Sequence, residues 1–214
     1  MTFNLLNYNE ICHFIDKNSR KPVKIVAVSK NHPFSEIKKA IDSGIRIFGE
    51  NRVQEASDKF LEIKKRYKDI ELHLTGPLQT NKIKLALKLF EVIQTLDREK
   101  LAKELSKNQS IIKNKVFFIQ INTGKESNKS GVYPEDAKKF IEYCKCDLNI
   151  PVKGLMCIPP QKEKPKIHFE VLKNLAKISK LDHLSMGMSA DFKEGILSGA
   201  SYIRVGTKIF GDRF

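Results

Sequence analysis

The chain has 214 residues, 41% of them hydrophobic, a size that supports one domain with a substantial core. No segment approaches the ~20 uninterrupted apolar residues of a membrane span, and the N-terminus lacks the basic region and long apolar core of a signal peptide, so a cytoplasmic protein is expected. The 39 Lys and Arg against 25 Asp and Glu leave a charge of +14, but the lysines are spread along the whole chain, as in Lys64-Lys65-Arg66 and Lys82-Ile83-Lys84, which points to solvated helix faces rather than a specific nucleic-acid site.

Residues 1–18 read as an amphipathic helix, with Leu5, Leu6, Tyr8, Ile11, Cys12, Phe14 and Ile15 at helical spacing. Pro22 separates it from a first strand at 24–29, an apolar run followed directly by Lys30. Pro33 opens a helix over 34–43 that Gly44 stops. A second strand at 45–48 runs into Gly49-Glu50-Asn51, and a long helix covers 52–66. The pattern then repeats: strands at 71–75, 91–95, 116–122, 152–156, 183–186 and 201–205, with helices to about 90, from 97 to about 107, over 134–146, to about 179, and from 191 to Gly199. The polar loop 123–131 is the longest of the connections.

Alternating strands and helices demand a parallel sheet with right-handed crossovers. Eight such units of about 25 residues match a small (β/α)8 TIM-type barrel. The expected architecture is thus a single α/β barrel domain over 1–214 with an extra N-terminal helix, a doubly wound sheet being the alternative. The four cysteines, Cys12, Cys144, Cys146 and Cys157, include one C-x-C but no second close pair, so reduced thiols and no metal are expected.

Ligands of such folds bind at the carboxyl ends of the strands. Val26, Val28 and Lys30 share one face of the first strand, so Lys30 is either a solvated strand end or an amine held in a pocket. Gly187-Met188-Ser189 and Gly206-Thr207 follow the last two strands, where barrels commonly bind phosphate on backbone N–H groups. Arg204 lies inside the last strand, where a guanidinium needs a partner: Glu50 as a core ion pair, or a ligand acceptor such as a ring nitrogen. His73, between Leu72 and Leu74, is a hydrogen-bonded core residue or a catalyst, and Asn51 a turn residue or a ligand contact. An amine, an arginine, an amide and a phosphate cup on one barrel mouth match the needs of pyridoxal phosphate.

Several stretches carry a resemblance: Ala27-Val28-Ser29-Lys30, Phe48-Gly49-Glu50-Asn51, the run from His73 to Lys82, Gly154-Leu155-Met156, the run from Leu184 to Ser189, and the run from Arg204 to Gly211. Together the chain resembles the pyridoxal phosphate homeostasis proteins, whose fold is similar to the N-terminal barrel of alanine racemase. The resemblance implies that Lys30 forms an internal aldimine with pyridoxal 5'-phosphate and that Arg204 faces the pyridine nitrogen. It implies further that Asn51 lies beside the ring and that Ser189, Gly206 and Thr207 hold the phosphate, with His73 and Met186 also counted among the cofactor-binding residues.

The function implied is a carrier or buffer of the cofactor in vitamin B6 and amino-acid balance, not an enzyme. Apo forms of pyridoxal phosphate enzymes are the expected partners, and the chain is expected to be a monomer. Arg52 departs from the family pattern, which commonly has an aromatic residue there. The alternative, an amino-acid racemase, needs a second acid/base on the far face of the substrate carbon. In alanine racemase-like enzymes a further C-terminal domain supplies it, and the sequence ends soon after the eighth strand.

Overall fold

The computed structural model describes residues 2–211; the expected domain, 1–214, extends past them at both ends. The strands are β1 Lys24–Val28, β2 Ile47–Glu50, β3 Glu71–Leu74, β4 Val92–Leu96, β5 Val116–Ile121, β6 Val152–Cys157, β7 His183–Met188 and β8 Tyr202–Val205. Each pairs in parallel with the next, and β8 returns to β1, so the sheet closes into an eight-stranded barrel. The helices are α1 Leu5–Asn18, α2 Phe34–Asp42, α3 Val53–Arg66, α4 Ile83–Leu89, α5 Glu99–Ser106, α6 Gln109–Ile112, α7 Pro134–Glu142, α8 Pro165–Ile178, α9 Phe192–Leu197 and α10 Thr207–Phe210. The doubly wound alternative is thereby excluded.

Period-two alternation sorts the strand residues onto two faces. Ala27, Phe48, Leu72, Leu74, Ile93, Leu155, Ile203 and Val205 face the helices and join Phe60, Phe169 and Leu172 in the larger core. Val26, Val28, Val92, Phe118, Met156 and Tyr202 fill the barrel itself as a smaller cluster. Burying a large apolar side chain contributes about 1.5–3 kcal/mol, so the outer layer supplies most of the cohesion and the inner space can hold polar side chains.

The N-terminal helix is an added element rather than part of the barrel repeat. Asn4 caps α1 by accepting from the Asn7 N–H at 3.0 Å, and Asn7 donates to the Lys208 carbonyl at 2.7 Å, tying α1 to α10. Several strand and helix boundaries shift: α1 begins at Leu5 rather than at residue 1, β2 at Ile47 rather than 45, and β7 runs to Met188 rather than 186. β1 ends at Val28 although the Ser29 N–H still bonds the Gly49 carbonyl, because the chain turns away at Asn31 with φ 62°. The expected helix to residue 90 starts only at Ile83, after a single tight turn over Thr80–Lys82. Among the described residues, no helix is long and apolar enough to cross a membrane.

Candidate functional site

At the carboxyl ends of β1, β2, β7 and β8 the barrel opens into a cavity of about 260 Å3 lined by Lys30, Asn51, Ser189, Arg204, Gly206 and Thr207. Residues from four separate stretches of the chain thus meet because parallel strands present all their carboxyl ends on one side. A wider cleft of about 690 Å3 adjoins it, and Asn51, Thr75, Ile158 and Met188 line both.

Lys30 keeps the inward direction of Val26 and Val28, although it lies past the ladder. The turn that carries it is braced from outside the barrel. Ser29 donates its hydroxyl to Glu50 at 2.7 Å, and the Lys59 ammonium binds Glu50 at 3.1 Å, Glu55 at 2.6 Å and the Ser29 carbonyl at 3.0 Å. Glu55 accepts from the Asn31 N–H at 2.6 Å, closing the brace on both sides of Lys30. Burial pushes the Glu50 carboxyl above the ordinary carboxylate value despite Lys59, and its Oε2 finds no hydrogen-bond partner among the described residues. The Glu50–Arg204 ion pair is not formed, because alternation turns Glu50 outward to α3 and Arg204 inward.

Arg204 is 4% exposed, and the partners it holds are neutral: the Ser185 hydroxyl at 2.7 Å and the Cys157 carbonyl at 2.8 Å. Burial pushes its pKa below the usual arginine value. Asn51 accepts from the Thr75 hydroxyl at 3.0 Å, which orients its amide at the cavity wall.

The anion cup is built by a break in the alternation of β7. The register between β7 and β8 shifts between Ser185 and Met188, at Gly187, whose φ of 94° suits a residue without a side chain. After the shift Met188 and Ser189 face the cavity. The Gly206 and Lys208 N–H groups converge on the Ser189 hydroxyl at 3.3 and 3.4 Å. A Cβ on Gly206 would lie 3.1 Å from the Val28 carbonyl oxygen, so the tight strand-to-helix passage favours glycine.

Two expected residues lie elsewhere. His73 is wholly buried inside the barrel, one ring nitrogen 2.7 Å from Glu71 and the other 2.8 Å from the Gln94 amide nitrogen, with the Tyr202 ring tilted against it at 5.5 Å. Met186 faces the helices, because its neighbour Ser185 points inward and the shift at Gly187 comes only after it. Val28, His32, Ile158, Met188 and Thr75 line the cavity without having been expected there. Inward alternation from Gly154 and Met156 in β6 points to Ile158, and from His73 in β3 to Thr75. Nothing in the sequence marks the shift that brings Met188 in. His32 stacks on Phe210 at 5.2 Å, a contact only the closed fold creates.

All four cysteines are free thiols, and burial pushes those of Cys144 and Cys157 up to about 12. Among the described residues no three His, Cys, Asp or Glu side chains gather as a metal ion would need.

Residues 7–214 match the family described as alanine racemase, N-terminal domain. The relatives are more particular. A pyridoxal phosphate homeostasis protein of Aquifex aeolicus is 39% identical over 202 residues, covering 89% of this chain and 87% of the relative. One of Escherichia coli (strain K12) is 34% identical over 205 residues, covering 91% and 88%. The chain therefore belongs to the alanine racemase N-terminal domain family and, within it, to the pyridoxal phosphate homeostasis proteins.

The structure of PipY from Synechococcus elongatus PCC7942 without pyridoxal phosphate superposes with a TM-score of 0.84 at 32% identity, covering 96% of this chain and 99% of that one. The same protein with the cofactor bound gives 0.80. Alanine racemase of Acinetobacter baumannii, at 15% identity and a TM-score of 0.73 over 97% of this chain and 62% of that one, shares the fold.

Proposed function

We propose that the chain binds pyridoxal 5'-phosphate and carries or buffers it, acting in vitamin B6 and amino-acid balance rather than as a racemase. The observation that carries this reading is the meeting of Lys30, Arg204 and the Ser189–Gly206–Thr207 cup in one cavity. The donor set fits the cofactor. Arg204 is a buried cation with neutral partners, so its remaining N–H groups suit an uncharged acceptor such as a pyridine nitrogen. The Gly206 and Lys208 amides, 3.3 and 3.4 Å from Ser189, are longer than the ~2.9–3.0 Å of a good N–H···O bond and leave room for a stronger acceptor such as a phosphate oxygen.

When bound, the cofactor supplies an aldehyde that condenses with primary amines. Lys30 is the amine this reading assigns to hold it, with its turn fixed by the Glu50–Lys59–Glu55 brace. Asn51 would lie beside the ring, and Ser189, Gly206 and Thr207 would hold the phosphate. His73 and Met186 make no contact in this reading. Arg204 would stay protonated and donate to the ring nitrogen, which disfavours the pyridinium that best stabilises a carbanion and weighs against carbanion-forming catalysis. The free thiols are in keeping with a reducing cytoplasm. The open neighbouring cleft offers a monomeric carrier a path by which apo enzymes receive the cofactor.

Borohydride reduction of the protein with pyridoxal 5'-phosphate, followed by peptide mapping, tests the assignment. The adduct is expected on Lys30, and its recovery mainly on another lysine would sink the reading. The untreated sample should racemise amino acids far more slowly than ~1 per second.

A further inference from the structure

Below Arg204 a file of polar side chains crosses the barrel interior. Arg204 Nη1 lies 2.7 Å from Ser185 Oγ, Ser185 Oγ 2.6 Å from Gln94 Oε1, Gln94 Nε2 2.8 Å from His73 Nδ1, and His73 Nε2 2.7 Å from Glu71 Oε1. Ser185, Gln94 and His73 are wholly buried. Glu71, at the amino end of β3, meets Lys24 at 3.4 Å.

Chemistry at the two ends dictates the direction of every bond between them. A guanidinium only donates, so Ser185 Oγ accepts from Arg204 and its own proton is left for Gln94 Oε1. At the other end the His73 bond holds the Glu71 carboxyl below the ordinary carboxylate value, and an ionised carboxylate only accepts. His73 Nε2 therefore carries the proton. Burial pushes the His73 pKa down, and in the neutral ring Nδ1 is an acceptor, which turns the Gln94 NH2 toward it and the Gln94 carbonyl toward Ser185. Both ends give the same solution. Reversing any one link would set two donors or two acceptors face to face in a dry interior, a costly arrangement.

We propose that His73 and Gln94 are positioning residues for the cofactor. The one-way chain Arg204→Ser185→Gln94→His73→Glu71 holds the guanidinium in the single orientation that leaves its free N–H groups aimed at the ring nitrogen. The proposal rests on the reading of the cavity as a pyridoxal phosphate site. It gives His73 a role without contact: three links separate its ring from the cavity's arginine, and one joins it to the terminal carboxylate. It also explains why polar residues occupy β3, β4 and β7 at inward positions that the neighbouring Val92, Phe118 and Met156 show can be apolar.

The test uses His73→Leu, which cuts the chain far from the cavity, and His73→Gln, whose amide can accept from Gln94 and donate to Glu71. Cofactor labelled with 15N at the ring nitrogen is titrated into each folded protein, with folding checked by thermal melting. In the wild type the ring nitrogen should give one hydrogen-bonded, unprotonated signal that does not move with pH. His73→Leu should broaden or shift that signal and weaken binding about tenfold, the size expected when one charge-assisted hydrogen bond is lost. His73→Gln should restore both.

A folded His73→Leu protein with the wild-type signal and affinity would overturn the proposal while a Lys30 adduct left the cofactor reading intact. Failure of the wild type to form that adduct would remove both. Should His73→Leu not fold, Gln94→Leu is measured in the same way, and a folded Gln94→Leu protein with the wild-type signal and affinity overturns the chain.

Discussion

Two buried polar networks flank the cavity, and they hold their charges by different means. The outer one, Ser29–Glu50–Lys59–Glu55, fixes the Lys30 turn through full charges packed between the barrel and α3. It is imperfectly satisfied, since Glu50 Oε2 lacks a partner among the described residues. The inner one, from Arg204 to Glu71, keeps its charges at its two ends and runs through neutral links, every one bonded on both sides. The outer brace therefore acts through Coulomb attraction and the inner file through donor–acceptor direction. The first should respond to charge and pH, the second to the loss of any single polar atom.

Cutting the outer brace should have the largest effect. Lys59→Met leaves Glu50 as a buried carboxylate with no cation, a loss of about 3–5 kcal/mol by urea denaturation at neutral pH. The penalty should shrink in mildly acidic buffer. Glu50 is already raised above 4.5 in the folded protein, so it binds its proton more tightly folded than unfolded. That contribution to stability grows as pH falls through the raised value toward 4.5 and is lost as pH rises again. A Lys59→Met penalty that stayed constant with pH would show that Glu50 is not the charge left stranded.

Interrupting the inner file should cost less and lack that dependence. Gln94→Leu orphans His73 Nδ1 and the Ser185 hydroxyl, a loss of about 1–3 kcal/mol. A cost below that range would mean that water enters the barrel and replaces the amide. The smallest effect belongs to the far end of the file. Lys24 and Glu71 side chains are 48% and 30% exposed, and Lys24→Met should change stability by less than ~1 kcal/mol in the same denaturation assay. A larger change would mean that the file depends on its surface ion pair and is not self-sufficient.

The sequence by itself determined eight βα units and a parallel sheet, since hydrophobic runs broken by Pro and Gly at βα spacing demand parallel strands with right-handed crossovers. The pairing of β8 with β1 decided for a closed barrel over a doubly wound sheet. Period-two alternation also carried Lys30, Asn51 and Arg204 to the inside, because side-chain direction along a strand is a local property. Only the tertiary structure decided what each inward residue meets. Arg204 faced two acceptors on paper, and the closed barrel seated Glu50 against Lys59 of α3 on the outside while Arg204 met Ser185 and the Cys157 carbonyl inside. Ser189 reaches the cup, and Met188 replaces Met186 at the wall, because a bulge at Gly187 resets the alternation, and a bulge depends on how two strands pair. His73 found Gln94, and through it Ser185 and Arg204, across the barrel interior. Those bonds join strands 21, 91 and 19 residues apart in sequence, a closeness set by barrel closure rather than by any local pattern.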